Sequence, residues 1–127
     1  MLESGLQATV EETVTEEMTA ARLGSGDVPV LGTPAVLALV EAAAVAAVAD
    51  HLEPGTTTVG ASVELEHVAP TAVGAGVAAT AALREVDGRR LRFRFEVTDP
   101  AGPVARGTHE RVLVDRDRFL GTARGRA

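Results

Sequence analysis

The chain has 127 residues, a net charge of −6 and no cysteine. That length fits one domain with a real core, and the acidic balance argues against nucleic acid as a partner. Without cysteine there is no disulfide, no thiolate metal site and no cysteine nucleophile.

Leu6 to Thr15 reads as a first strand. Leu6, Ala8, Val10, Glu12 and Val14 alternate with Gln7, Thr9, Glu11, Thr13 and Thr15, mostly a period-2 pattern with one wet face. The N-terminus is acidic and lacks a basic n-region, so no signal peptide is expected and a cytoplasmic protein is. Met18 to Arg22 suits a helical turn, and Leu23 to Val30, with Gly24, Gly26 and Pro29, suits a loop.

A long helix follows, over about residues 34–52. Thr33 is expected as its N-cap and Pro34 at its first position. Pro54-Gly55 ends it. At about 1.5 Å per residue it spans nearly 30 Å. From Ala35 to Ala49 its only polar residue is Glu41. The apolar run is therefore interrupted, and a membrane span is not expected. A helix apolar on every face is normally buried on every side. One small sheet covers one side, so the N-terminal segment or a second subunit must cover the other. An ionised carboxylate in such a setting costs several kcal/mol or more unless it is paired. Glu41 is thus either a paired structural residue or a site residue.

Four strands come next: Thr56 to Glu66, Gly74 to Val86, Arg90 to Thr98 and Val104 to Val114. Asp87-Gly88 and Pro100-Ala-Gly102 are turn signals between them. Leu91, Phe93, Phe95 and Val97 alternate with Arg90, Arg92, Arg94 and Glu96, which predicts one core face and one charged face. The Arg-rich stretch beyond Phe119 is expected to be loose. A strand, one long helix and four hairpin-linked strands predict a single α+β domain over residues 1–127, its antiparallel sheet of about five strands wrapped around the helix.

The order and spacing of several short motifs resemble a known family. Val28-Pro-Val-Leu-Gly-Thr-Pro34, Leu39-Val-Glu-Ala-Ala43, Val59-Gly60, Glu66-His67-Val-Ala-Pro70, Gly88-Arg-Arg-Leu-Arg-Phe93 and Gly107-Thr-His-Glu-Arg111 are similar to the hot-dog thioesterases related to fluoroacetyl-CoA thioesterase. The resemblance covers the chain to Phe119. It implies a hot-dog fold and hydrolysis of a short acyl-CoA, with CoA as part of the substrate and no metal or other cofactor. It implies a catalytic set at Thr33, Glu41 and His67, with Gly60 and Arg111 supporting the substrate. The fluoroacetyl-CoA enzyme carries an aromatic lid before its helix. Met18 to Leu31 contains no aromatic residue, which leaves the acyl group open.

The same residues carry chemistry of their own. Thr33 and Glu41 are eight positions apart, a rise of roughly 12 Å, so one straight helix cannot bring them into hydrogen-bond contact. Two antiparallel helices across a two-fold axis can. This predicts a site shared across a homodimer, or a dimer of dimers. A helix N-terminus at Thr33 offers free N–H groups to a developing oxyanion. His67, beside a carboxylate, is a natural proton shuttle. Arg111 can pair with Glu41 or hold the acyl end, and Gly60 within a strand suggests close approach of another group. His109 has less claim, since it lies within a regular strand. Arg84, Arg89 or the Arg90, Arg92 and Arg94 row could meet CoA phosphates. The alternative is a non-catalytic module that binds an acyl-CoA or a small acid. A hot-dog hydratase ranks last, because Asp27 is not followed by the His such enzymes pair with it.

Overall fold

A computed structural model describes residues 1–127. Five strands form one antiparallel sheet: β1 (Gln7–Thr13), β2 (Thr56–His67), β3 (Gly76–Asp87), β4 (Arg90–Asp99) and β5 (Gly102–Asp115). Their spatial order is β1-β3-β4-β5-β2. A short turn at Glu16–Met18 and helix α1 (Ala20–Leu23) lead into the long helix α2 (Thr33–Val48), which a tighter turn extends over Ala49–His51. The sheet curls around α2, which is the hot-dog arrangement.

The strand pattern follows from the alternation. Leu91, Phe93, Phe95 and Val97 of β4 are fully buried, while Arg90, Arg92, Arg94 and Glu96 face solvent. On that outer face Arg90 meets Glu110 at 3.0 Å and Arg92 meets Glu85 at 2.8 Å. Exposed pairs of this kind add about 0–1 kcal/mol each. Their value here is to neutralise a charged face.

Helix α2 lies mainly over β1 and β3. It buries Val36, Leu39, Val40, Ala43, Ala44, Ala47 and Val48, against Ala79, Ala81 and Leu83 of β3 and the β4 apolar row. Small residues on both surfaces permit the close approach. The opposite flank of α2 is open: Pro34, Ala38, Ala42, Val45 and Ala46 are exposed. The expected burial on every side is therefore not supplied by this chain. The helix with its extension has the length and mean hydropathy of a membrane span, yet one side of it packs into the core.

Three local expectations change. Gly32, not Thr33, is the N-cap, and Thr33 is the first helical residue with Pro34 second. Gly32 fits because a Cβ there would lie 2.9 Å from the Ala20 backbone nitrogen. The first strand is shorter than predicted at both ends. The C-terminal stretch is not loose beyond Phe119: residues Arg116–Gly125 form helix α3. Asp115 caps it, its Oδ1 accepting from the Arg118 N–H at 2.9 Å. No α3 residue is buried, so nothing in core packing signalled it.

Among the glycines, Gly107 leaves the least room for a side chain. A Cβ there would collide with the Glu64 carbonyl and stand 2.8 Å from Phe95 Cζ. Gly107→Ala is expected to destabilise the fold by about 1–3 kcal/mol through overpacking against backbone that cannot yield. Gly121→Ala, in α3 with open space around it, is expected to stabilise by up to about 1 kcal/mol. Urea unfolding of both variants checks the contrast.

Candidate active site

Cross-strand register gathers the site on the concave face. Leu91 of β4 stands opposite Arg111 of β5, and Arg111 opposite Gly60 of β2. One step on, Phe93 faces His109, which faces Val63; a further two steps bring Val97, Ala105 and His67 into one row. Gly60 and His67 are an odd number of positions apart, so a regular strand would put them on opposite faces. A bulge between Gly60 and Ser62 corrects this. The extra residue, Ala61, flips the alternation, so Val63, Leu65 and His67 share the Gly60 face.

One cluster forms at the N-terminus of α2. The segment before the helix is stitched down by backbone bonds: Ala20 N–H to Val30 O, Gly32 N–H to Met18 O and Leu31 N–H to Thr71 O, at 2.8–2.9 Å. This fixes Thr33 beside the end of β2. Because Gly32 takes the cap position, the Thr33 hydroxyl is free of the helix, and its Oγ1 lies 2.8 Å from His67 Nδ1. The other ring nitrogen, Nε2, is buried with no hydrogen-bond partner. Beside them opens a cavity of about 460 Å³ lined by Ser25, Thr33, Pro34, Leu37, Val63 and Leu65. The helix N-terminus offers less to an oxyanion than expected. Pro34 has no N–H, and those of Ala35 and Val36 go to Gly32 O, which leaves only the Thr33 amide.

A second cluster lies around Glu41. Arg111, 5% exposed, donates from Nη1 to Glu41 Oε2 at 3.0 Å, from Nε to Thr58 Oγ1 at 2.9 Å and from Nη2 to Thr58 O at 3.1 Å. A Cβ on Gly60 would stand 2.5 Å from Glu41 Oε2, so the missing side chain makes room for the carboxylate. Glu41 itself is not buried: its side chain is 41% exposed, facing a cavity of about 180 Å³ that it shares with Leu37 and Gly60. The structure thus pairs Thr33 with His67, and Glu41 with Arg111 and Gly60. It does not bring the two sets into contact within one chain.

His109, given less claim by its place in a regular strand, is packed against the Arg111 cluster. It is 2% exposed, with Nδ1 2.8 Å from Ser62 O and Nε2 3.1 Å from Arg111 Nη1. A period-2 count does place it on the Arg111 face, and that was the available signal. A further concavity, about 570 Å³ around Glu11, Glu12 and Asp99, lies away from both clusters. Its Asp99 is occupied by the Thr71 hydroxyl and the Ala101 N–H.

The family model for fluoroacetyl-CoA-specific thioesterases matches residues 14–117. The chain belongs to this family. A fluoroacetyl-CoA thioesterase of Streptantibioticus cattleyicolor is 39% identical over 90 residues, 71% of this chain and 65% of that protein, just under two thirds of the relative's length. The solved fluoroacetyl-CoA-specific thioesterase FlK superposes with a TM-score of 0.93 at 31% identity, over 100% of this chain and 98% of that one. A mutant of FlK solved with fluoroacetate and CoA matches at 0.88 and 32% identity, over 93% and 99%.

Burial pushes the His109 imidazole below its ordinary range; the Ser62 carbonyl pulls it up, the Arg111 charge lowers it further and Glu41 opposes. A histidine with a lowered folded pKa adds stability above the ordinary value of 6.5, and that stability is lost as pH falls toward the folded value. Unfolding free energy is expected to drop on acidification below about pH 6.5, and His109→Gln to remove that part of the slope. Urea titrations at several pH values measure both.

Proposed function

We propose that this protein is a thioesterase that hydrolyses a short aliphatic acyl-CoA to the free acid and CoA, in the cytoplasm, as a homodimer whose active sites each draw on both chains. The observation that carries the reading is the 2.8 Å contact between Thr33 Oγ1 and His67 Nδ1, a hydroxyl within reach of a base as nucleophilic catalysis requires. Thr33 gives its proton to His67 as it attacks the thioester carbonyl. The C–S bond breaks, and the CoA thiolate takes the proton from His67. Glu41 of the other chain draws a proton from water, which attacks the acyl-threonine ester. The ester C–O bond breaks, the acid leaves, and Thr33 takes up the proton that Glu41 drew from water. Arg111 holds Glu41 in place, and Gly60 leaves the space beside it. No metal or further cofactor is needed for these proton transfers.

Assembly is supported by the open flank of α2. Thr33 and Glu41 lie on it together with Pro34, Ala38, Ala42, Val45 and Ala46, an apolar stripe that a second, antiparallel α2 would cover. That packing brings the Thr33 end of one helix toward Glu41 of its partner. The aliphatic lining of the Thr33 cavity favours a short alkyl acyl group, and the segment before α2 offers no aromatic side chain to close over it. The binding-module alternative shares the pocket but leaves the Thr33–His67 pair without a task.

Two experiments test this. A panel of short acyl-CoAs is expected to release thiol with the native protein. Glu41→Gln is expected to lose turnover by about 10²-fold or more and to accumulate an acyl group on Thr33, seen by peptide mass spectrometry. An acyl group on Glu41 in the native protein would reverse the roles, and tight binding with no thiol release from any substrate would leave a binder. The second experiment mixes two inactive variants, Thr33→Ala and Glu41→Gln, after unfolding and refolding together. Shared sites predict recovery of about one quarter of native activity, since half the dimers are mixed and each mixed dimer has one intact site. No recovery would place each site within a single chain.

A further inference from the structure

We infer that His109 is a positioning residue for this site: as a neutral imidazole it fixes the Arg111 guanidinium and, through it, the Glu41 carboxylate. The inference rests on the thioesterase reading for its kinetic part only.

The argument starts from donors and acceptors. A carbonyl oxygen only accepts, so the 2.8 Å contact with Ser62 O puts a proton on His109 Nδ1. Arginine has no acceptor, so the 3.1 Å contact with Arg111 Nη1 requires a lone pair on Nε2. Both demands are met by one species, the neutral Nδ1–H tautomer. Arg111 Nη1 carries two hydrogens. One goes to Glu41 Oε2 at 3.0 Å and the other to His109 Nε2. With Nε and Nη2 tied to Thr58, the guanidinium plane is held at both ends. The His109 lone pair thereby sets the direction of the hydrogen that reaches Glu41.

Protonating the ring removes that arrangement. Nε2–H would then point a donor at a donor and a cation at a cation. Glu41 Oε2, 4.0 Å from Nε2, becomes the acceptor nearest to the new proton. His109 would compete with Arg111 for the carboxylate and draw it away from its working position. The charged groups that face His109 are Glu41 from α2 and Arg111 from β5. From β2 it meets the Ser62 carbonyl, and from β4 the Phe93 ring with centroids 6.3 Å apart, neither of them charged. A buried ring switched by its own protonation thus controls a base it does not touch directly.

The test has two arms. Long-range proton–nitrogen NMR of the native protein at neutral pH is expected to show His109 protonated at Nδ1 and bare at Nε2. The Nε2–H tautomer or the imidazolium would overturn the inference, whatever the protein catalyses. In the kinetic arm, thiol release from acetyl-CoA and propionyl-CoA is followed against pH. His109→Leu is expected to lower kcat by about tenfold or more, with KM changed by less than about threefold, at unchanged secondary structure. His109→Gln, whose amide can accept from Arg111, is expected to recover most of kcat and to lose the part of the acid limb that belongs to His109. If His109→Leu fails to fold, His109→Gln alone decides: an acid limb identical to the native one overturns the inference. A native protein that releases no thiol would sink the thioesterase reading instead, and the NMR arm would still decide the tautomer.

Discussion

Everything in this molecule hangs on how closely α2 can approach the sheet. Ala43 and Ala44 on the helix meet a β3 whose inward residues include Ala79 and Ala81, all four with no exposed surface. Small side chains on both sides bring the helix axis near the strands, and β1 and β3 take most of its contact. The helix is thereby displaced toward one edge of the sheet. The concave face of β5 and β2 is left partly uncovered, and on that face stand Arg111, His109, Gly60 and His67. Core packing and site exposure are one geometric fact: an alanine seam holds the helix to one side, and the other side becomes the cleft.

The second constraint is the bulge at Ala61. Gly60 reserves space for the Glu41 carboxylate, while His67 meets the hydroxyl of Thr33. Those tasks lie on the same face, seven positions apart on one strand. Only an extra residue between them satisfies both. The bulge also sits on β2, which pairs with β5 on one side and forms the free edge of the sheet on the other. A bulged edge strand twists more strongly than a regular one.

Much of this could be read from the sequence, and the failures have physical causes. The β4 alternation, the turn at Asp87-Gly88 and the alanine run in α2 each signal their element through side-chain periodicity, and each element is present. The separation of Thr33 from Glu41 followed from helical rise alone. What stayed hidden depended on register or on a neighbour's backbone. The bulge has no composition signal beyond a glycine in a strand. Gly32 displaced Thr33 from the cap position because the approach of Ala20, distant in the chain's path, leaves no room for a side chain there. Helix α3 buries nothing, so periodicity was silent about it. Glu41 reads as a buried carboxylate because the run around it is apolar, yet it lies at the margin of the covered flank, with Oε2 on Arg111 and its side chain 41% exposed.

That last discrepancy bears on how the site manages charge. A guanidinium as buried as Arg111 requires compensation, and it has four partners: the Glu41 carboxylate, the Thr58 hydroxyl and carbonyl, and the His109 ring. Only one of them carries charge. If His109 became cationic, two positive groups would share one carboxylate in a region with little water, and the repulsion there is far stronger than at a surface. Burial of His109 beside its cross-strand neighbour Phe93 opposes this by favouring the neutral ring. The net result is one cation, one anion and one neutral acceptor, with the anion on the solvent side. The carboxylate is neutralised in charge by Arg111 through Oε2, and its side chain stays 41% exposed. Its position is thereby fixed while it still faces the cavity beside Leu37 and Gly60.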